Sequence, residues 1–240
     1  MARFIADGIE NKKAWFAEDA LHMSRILRMQ AGDALTVLYE GMAYDGRIES
    51  IGPQRAEASL ANPRPAQGEA DIRVVIYQGM TKGPRMEYTV QKSVELGAAA
   101  IVPVWMERCE AKPGGENKGQ RLQKIAREAA KQSGRGLIPK VEEPIGLKDI
   151  PQHDLLLCPY EKAEGKLTEA LGGQAKSIGI VIGPEGGLTE NEAKLLADKG
   201  GRLVTLGPRI LRAETAGPAA LAAIMAILGE WDRPAEGFEP

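Results

Sequence analysis

The residues best suited to bind a ligand form a glycine-rich segment, Gly183-Pro-Glu-Gly-Gly187, directly after the apolar run Ile178–Ile182. Glycines at the end of a strand let the backbone approach a ligand closely, and Glu185 offers a carboxylate that accepts hydrogen bonds. The spacing matches neither GxxxxGK[ST] nor GxGxxG, which argues against a P-loop and a dinucleotide fold. By spacing alone, a glycine turn with a solvated glutamate is an equal alternative.

A second segment with ligand-binding potential, Leu206–Thr215, also lies between an apolar run and a helix. It contains Gly207, two arginines and Glu214, and the helix predicted over about 215–228 is almost entirely apolar. A helix that is apolar on all sides is buried in a core or a subunit interface. The two glycine segments therefore have the character of two walls of one pocket. A helix N-terminus with a neighbouring ion pair is the alternative.

A third candidate is a basic helix face between residues 119 and 133. At 100° per residue, an arc of about 120° holds Arg121, Lys124, Arg127 and Lys131, opposite the apolar residues Leu122, Ile125, Ala126 and Ala129. Such a face either is simply solvated or follows the phosphates of a nucleic acid. Further candidates for the same surface are Lys82, Arg85 and Arg135, and a second basic cluster comprises Lys12, Lys13, His22, Arg25 and Arg28.

Hydrophobic periodicity divides the chain into two parts that would position these residues. A small β-rich domain is predicted from strands at 34–39, 42–50 and 56–60, preceded by an amphipathic helix at about 18–27. The polar stretch 62–69 is the predicted linker. Beyond it, strands alternate with helices, which predicts an α/β domain with a largely parallel sheet. Its predicted strands are 72–77, 100–104, 155–158, 178–182 and 202–206, and its helices are 85–96, 119–133 and 215–228.

The composition argues against several classes of protein. With 240 residues, of which 43% are hydrophobic and 27% charged, we expect a soluble protein of two domains. No apolar run approaches the roughly 20 residues of a membrane span, and Met1–Glu10 predicts no secretory signal. Cys109 and Cys158 are far apart and His22 and His153 lack ligand spacing, so we expect a reducing cytoplasm and no metal. A net charge of −2 means that nucleic acid would be bound through local basic patches.

Several segments together carry a resemblance to a known family. They are HMSRILRM at 22–29, KGPRMEYTVQKSVELG at 82–97, REAAKQS at 127–133, IGPEGGLTENE at 182–192 and LGPRILRAET at 206–215. In sequence, order and spacing these segments resemble the bacterial 16S ribosomal RNA uracil-N3 methyltransferases of the RsmE type, a branch of the SPOUT class. The resemblance extends over nearly the whole chain.

The resemblance implies an α/β fold in which a PUA-like β-barrel domain at 1–66 precedes a SPOUT domain at 70–240 with a C-terminal trefoil knot. It also implies a homodimer that binds S-adenosylmethionine in the knot, with the active site at the subunit interface. The cofactor-binding residues implied are Leu157, Pro159, Gly183, Glu185, Gly186, Leu206, Gly207, Ile210, Leu211 and Arg212. The RNA-binding residues expected are Arg25, Arg28, Lys82, Arg85, Arg121, Lys124, Arg127 and Lys131.

The activity that the resemblance implies is methylation of N3 of one uridine in the decoding region of 16S ribosomal RNA, within the small ribosomal subunit. Because N3 carries a proton, the site needs a charge stabiliser, for which Arg212 is the candidate, and a proton acceptor, for which Glu214 is a candidate. A helix N-terminal carboxylate without catalytic role is an equal interpretation of Glu214. Two alternatives stay open: a non-catalytic RNA-binding factor, and a SPOUT enzyme acting on ribose 2′-OH or transfer RNA.

Overall fold

The computed structural model describes residues 2–110, 116–173 and 175–233, and its contacts divide the chain into two compact units. Within the described residues, the first unit comprises 2–69 together with 130–138, and the second comprises 70–129 and 139–233. The predicted domain limits, 1–66 and 70–240, stay a prediction, and residues 234–240 lie outside the described part. In that described part, none of the helices combines the length and apolarity needed to cross a membrane.

The first unit is built on a six-stranded sheet among the described residues. Its strands are β1 (Arg3–Ile5), β2 (Gly8–Glu10), β3 (Lys13–Phe16), β4 (Ala34–Tyr39), β5 (Met42–Ile51) and β6 (Ala56–Pro65). They are ordered β1-β4-β5-β6-β3-β2, and only β1 and β4 pair in parallel. Two register shifts between β5 and β6 help the sheet curl around a core that includes Phe16, Leu35 and Ile48. The three strands predicted here are confirmed, and β1 to β3 carried no signal that the sequence reasoning detected.

The predicted linker is wrong in its first half, because residues 62–65 continue β6. β6 pairs with β3 only over 56–59, whereas its pairing with β5 extends to Pro65. The two prolines therefore lie where β6 has a neighbour on one side only, and an edge position tolerates a residue that cannot donate a backbone hydrogen bond.

The predicted amphipathic helix at 18–27 is confirmed in part: residues 20–26 are helical, but His22–Ile26 form a π-helix. The Ser24 hydroxyl donates to the Ala20 carbonyl at 2.7 Å, and the Leu27 amide donates to the His22 carbonyl in the wider π pattern. Ala20 and Met23 are fully buried in the core of the first unit, whereas Ile26 is 69% exposed. The apolar face that the pattern predicted therefore reaches the core only through these two residues.

The second unit contains a parallel sheet, as predicted, with seven strands among the described residues. They are β7 (Arg73–Gly79), β8 (Ala100–Trp105), β9 (Lys140–Val141), β10 (Ile145–Gly146), β11 (Leu155–Pro159), β12 (Ser177–Ile182) and β13 (Arg202–Val204). The order is β10-β8-β7-β12-β11-β13, with β9 also on β8. Because the strands are parallel, the carboxyl ends of β7, β11, β12 and β13 meet at one edge.

The helices of this unit are α1 (Pro84–Glu95), α2 (Glu116–Ser133), α3 (Leu167–Ala170), α4 (Glu190–Asp198) and α5 (Ala213–Ile227), and the last turn of α2 clusters with the first unit. The three long helices predicted from periodicity, α1, α2 and α5, are confirmed to within a few residues. α5 packs against α1 and β12, and Gly217 lies next to Ile182 of β12. This packing brings the N-terminus of α5 to the carboxyl edge of the sheet.

Candidate functional site

A cavity of about 860 Å³ opens at the carboxyl edge of the parallel sheet, within the second unit. It is lined by the segments that follow three neighbouring strands, at 159–161, 182–188 and 205–212, together with the first turn of α5 and Arg85 of α1. Its volume is that of a site for a small organic ligand or cofactor. The two glycine segments of the sequence analysis therefore do wall one pocket.

The first glycine loop, 183–188, ends in the helix cap predicted from the sequence. Thr189 accepts a hydrogen bond from the amide of Glu192, and the Glu192 carboxylate accepts one from the amide of Thr189 at 2.9 Å. The other oxygen of that carboxylate accepts from the amide of Glu107, in the segment after β8, at 2.7 Å. The carboxylate of Glu192 thus completes the helix cap and also anchors the loop to the segment after β8.

The base of this loop contacts the end of β7 at unusually short range. A Cβ added at Gly79 would lie 2.5 Å from the backbone nitrogen of Pro184 and 2.8 Å from the carbonyl carbon of Gly183. Only a glycine leaves room for this contact, since the approaching atoms belong to backbone. Gly79 therefore sets the height of the loop above the sheet, a role that the sequence reasoning missed.

The outer side of the same loop is held by Arg108, which does not line the cavity. Its guanidinium donates to the carbonyl of Gly186 at 2.9 Å, and to that of Leu188 at 3.5 Å. A Cβ on Gly186 would lie 2.8 Å from the Cβ of Arg108. The sequence predicts that the backbone at Gly186 approaches a ligand closely. The structure adds a second reason for glycine at this position, which is room for the aliphatic part of the Arg108 side chain.

Glu185 projects from this loop into a set of hydrogen-bond donors. Its Oε1 accepts from the guanidinium of Arg85 at 2.8 Å and from the backbone amide of Lys82 at 3.1 Å. Its Oε2 is buried and has no hydrogen-bond partner among the described residues. Burial alone would raise the pKa of Glu185, but the amides of Lys82 and of Glu185 itself, together with Arg85, outweigh it and lower the pKa below its usual value. The carboxylate is therefore ionised at neutral pH.

The second loop follows β13 and leads into α5. The Thr205 hydroxyl accepts from the amide of Gly207 at 3.1 Å, which fixes the turn, and Gly207 has a φ of +97° that favours glycine. A Cβ at Gly207 would meet nothing within 4 Å, so its backbone faces open space. Ile210, at the tip, is 91% exposed, an unusual state for so large an apolar side chain.

Two charged residues predicted to take part in chemistry line the pocket beside this loop. Arg212 caps α5, where its carbonyl accepts from the amides of Thr215 and Ala216, and its side chain has no ion-pair partner among the described residues. The side chain of Glu214, in the first turn of α5, is 16% exposed and lies 3.7 Å from Arg85. A free guanidinium and a largely buried carboxylate thus share one cavity.

Of the ten predicted cofactor-binding residues, all except Leu157 line the cavity. Leu157 is fully buried within β11, between β12 and β13, so its side chain belongs to the core. The sequence reasoning missed further lining residues, which include Tyr160, Glu161, Thr205 and Arg209. Each of these four lies within two residues of a predicted position, and that proximity was the only signal.

The predicted RNA-binding residues are divided among different environments. Arg85 lies in the pocket wall rather than on an open surface. Lys82 pairs with the exposed Glu110. On α2, Arg121 pairs with Glu87 at 2.9 Å, Lys124 is exposed and Arg127 is half-buried. In the first unit, Lys131 is paired at 2.5 Å with the buried Asp19, and Arg135 is 4% exposed and bonded to Glu69. The basic face is therefore open chiefly around Arg121 and Lys124.

Arg25 and Arg28 lie on and just after the π-helix of the first unit, and both side chains are exposed. Neither has an ion-pair partner among the described residues. Arg28 adopts a φ of +53°, a conformation that costs energy for a residue with a Cβ. These two arginines are placed as a surface ligand would require.

Comparison with known proteins gives two family matches. The model described as an RNA methyltransferase domain matches residues 68–225, and that described as an RNA methyltransferase PUA domain matches 17–61. Two relatives named ribosomal RNA small subunit methyltransferase E are 32% identical (Bacillus subtilis; 86% of this chain, 87% of the relative) and 36% identical (Synechocystis; 86% and 70%). The crystal structure of that enzyme from Neisseria gonorrhoeae, bound to S-adenosyl methionine, superposes with a TM-score of 0.83 at 32% identity, over 95% of this chain and 98% of that chain.

Proposed function

Because this chain belongs to the RNA methyltransferase family that includes the small-subunit ribosomal RNA methyltransferases E, we propose that it transfers a methyl group from S-adenosylmethionine to small-subunit ribosomal RNA. The observation that carries the proposal is the cavity between the two glycine loops, at the carboxyl edge of the parallel sheet. The Neisseria gonorrhoeae relative, 32% identical, is described as bound to the same cofactor.

The lining of the cavity fits this cofactor. Apolar side chains such as Ile182 and Leu211 suit an adenine ring, and the open backbone at Gly207 lets a ligand come close to main-chain polar groups. The ionised carboxylate of Glu185 suits the cationic groups of the cofactor. When bound, the cofactor supplies a methyl group already activated by its sulfonium.

The remaining work falls to the side chains of this protein. Uracil N3 carries a proton, which must leave before or as N3 forms its bond to the methyl carbon. Loss of that proton leaves negative charge shared among N3, O2 and O4 until the bond to the methyl carbon is complete. Arg212 stabilises that charge, and Glu214 accepts the proton. Both residues line the same cavity, which is the geometric requirement for this division of roles.

The specific target that we propose is N3 of one uridine in the decoding region of 16S ribosomal RNA. The target base must be unpaired or flipped out, because N3 is hidden in a duplex. Nucleoside mass spectrometry of ribosomal RNA from a deletion strain tests this assignment. Loss of 3-methyluridine from small-subunit RNA is expected; a full complement would refute the reaction, and loss of a 2′-O-methylated nucleoside instead would favour a ribose methyltransferase.

Cofactor binding separates the enzyme from a non-catalytic RNA-binding factor with the same fold. We expect one molecule of S-adenosylmethionine per chain by calorimetry on the full-length protein. A protein that binds small-subunit RNA but no cofactor would instead be the non-catalytic factor.

RNA is bound by two surfaces, each in its own unit: the Arg25 and Arg28 surface of the first, and the open part of the α2 face in the second. Reversing Arg121 and Lys124 to Glu should weaken RNA binding and lower its salt slope by up to about two units, since each phosphate contact contributes close to one. Lys140→Glu, an exposed reversal outside the arc, is the matched control. An unchanged salt slope in the double variant would mean that the face is only solvated.

A homodimer is part of the proposal. α5 buries one face, but its other face includes Ala226 and Ile227, both exposed, and is followed by Trp231, which is 57% exposed. A second copy would cover this surface. Light scattering at micromolar concentration should give twice the chain mass, and Ile227→Glu should shift the protein toward monomer.

The proposal also includes a SPOUT-type trefoil knot in the second unit and a PUA-like β-barrel in the first. After β13 the chain passes beside the segment 160–166, where the Thr205 amide donates to the Gly165 carbonyl at 2.8 Å. It then returns to α5, which packs on β12. This course supports a threaded chain, and slow refolding from denaturant would be its kinetic signature. The limits proposed for the two domains are 1–66 and 70–240.

A further inference from the structure

Arg85 is surrounded by acidic groups contributed by different elements of the second unit. Its guanidinium donates to Glu185 of the first glycine loop at 2.8 Å, and its Nε lies 3.7 Å from Oε1 of Glu214, in the first turn of α5. The exposed Glu110 adds a further negative charge nearby. Arg85 is therefore a cation shared by two of the carboxylates that line the cavity, Glu185 and Glu214.

This arrangement leaves little of the charge of Arg85 for an RNA phosphate. A phosphate at Arg85 would have to compete with two carboxylates whose side chains are only 20% and 16% exposed. An arginine that contacts the sugar–phosphate backbone of RNA normally has an exposed side chain that can reach the phosphates, as Arg25 and Arg28 have. The contacts of Arg85 instead connect the two loops that bound the cavity.

We propose that Arg85 is a positioning residue for the cofactor site. It holds the carboxylate of Glu185 in one orientation and links that carboxylate to Glu214, so that the first glycine loop and the N-terminus of α5 keep one spacing. This inference rests on the proposed function, since it assigns Arg85 to the binding of S-adenosylmethionine rather than to that of RNA.

The position of Arg85 in α1 supports this role. Pro84 begins the helix and Arg85 is its second residue, and the Thr89 hydroxyl donates to the Arg85 carbonyl at 3.1 Å. The backbone of Arg85 is thus fixed. A guanidinium can donate two hydrogen bonds to one carboxylate, so at this position it orients Glu185 better than the ammonium group of a lysine would. The Lys82 amide adds a second donor to the same Oε1, which further restricts the carboxylate.

Loss of Arg85 would change the titration of Glu185 as well as its position. The groups that face Glu185 are Arg85, Cys109 and the backbone amide of Lys82, and its own amide also donates to it. Without the guanidinium, only the backbone amides would oppose the effect of burial, so the pKa of Glu185 would rise above its wild-type value. As the pH falls, cofactor binding should then weaken at a higher pH than in the wild type. Protonated Glu185 no longer attracts the cationic groups of the cofactor.

The test measures S-adenosylmethionine affinity by calorimetry between about pH 5 and pH 8, together with RNA affinity in the absence of cofactor. The variants are Arg85→Met, which keeps the stem without the charge, and Arg85→Lys, which keeps the charge. Lys92→Met is the matched control, since it also removes a cation from α1 and its side chain pairs with Glu95 rather than with a residue that lines the cavity.

We expect Arg85→Met to weaken cofactor binding at neutral pH by about tenfold or more, and to move its acid limb to higher pH. Arg85→Lys should recover the wild-type pH profile and part of the affinity, and Lys92→Met should stay within about twofold of wild type. If Arg85→Met does not fold, the test is whether Arg85→Lys binds S-adenosylmethionine more weakly than the wild type at neutral pH. Wild-type cofactor affinity in both Arg85 variants, or a loss of RNA affinity alone, would overturn the inference. Absence of cofactor binding by the wild type would refute the proposed function instead.

Discussion

Gly79→Ala tests whether the height of the first glycine loop above the sheet controls cofactor binding. The added Cβ would lie 2.5 Å from the Pro184 nitrogen, against 3.4 Å for the shortest ordinary contact, so the loop must rise by about 0.9 Å. Gly79 is buried, and the obstacle is backbone that cannot rotate away. Overpacking of this kind costs about 1–3 kcal/mol.

The same strain sets the expected loss of affinity. In the ligand-free variant the loop relaxes upward, and cofactor binding must push it back to its original position. If the full 1–3 kcal/mol reappears on binding, the Kd for S-adenosylmethionine rises about 5- to 150-fold. The melting temperature should fall by about 2 to 4 °C for each kcal/mol that is not relaxed.

Calorimetry with S-adenosylmethionine and a thermal melt of the same samples measure both effects. Gly173→Ala is the matched control, because a Cβ there meets nothing within 4 Å and the residue is exposed in the same unit. The control should bind like wild type. A Gly79→Ala protein with wild-type Kd and melting temperature would show that the loop adapts freely and that its height is irrelevant to binding.

Three further predictions concern other groups. The pKa of the Cys158 thiol is raised to about 12 by burial, so in the folded protein at pH 8 it should resist alkylation, and labelling at Cys158 by mass spectrometry would contradict this. Because the pKa of Glu185 is lowered in the folded state, its stabilising effect is present above its ordinary value of 4.5 and is lost as pH falls through the folded value. The stability difference between wild type and Glu185→Gln, from urea melts, should therefore shrink below about pH 4. Arg135→Met leaves the carboxylate of Glu69 without a buried partner, and should lower the free energy of unfolding by about 3 kcal/mol in denaturant melts; a loss below about 1 kcal/mol would refute the importance of that pair.

The sequence by itself determined the features that depend on short stretches of chain. Hydrophobic periodicity located five of the seven described strands and the long helices of the second unit, but not the two-residue strands β9 and β10. The pair Thr189 and Glu192 marked the start of α4. Glycines directly after β12 and β13 indicated where ligand-binding loops would follow strands. Because parallel strands end at one edge, that local pattern was enough to predict a shared pocket.

Local pattern failed where tertiary contacts decide the structure. The apolar residues at 18–27 predicted a packed α-helix, but only Ala20 and Met23 reach the core, and His22–Ile26 form a π-helix. The prolines at 63 and 65 predicted a linker, but an available edge of β5 lets the strand continue. In both cases the outcome depends on which neighbouring surface is present, and the residues of the segment do not specify that surface.

Only the tertiary structure assigned the residues that hold the first glycine loop. Arg85 and Glu185 are 100 residues apart, and Arg108 and Gly186 are 78 apart. A basic residue at a helix start predicts phosphate binding as readily as an internal ion pair, because its charge alone does not reveal its partner. The partner is fixed by the strand order, which brings the ends of β7, β8 and β12 together and so converts distant residues into one site.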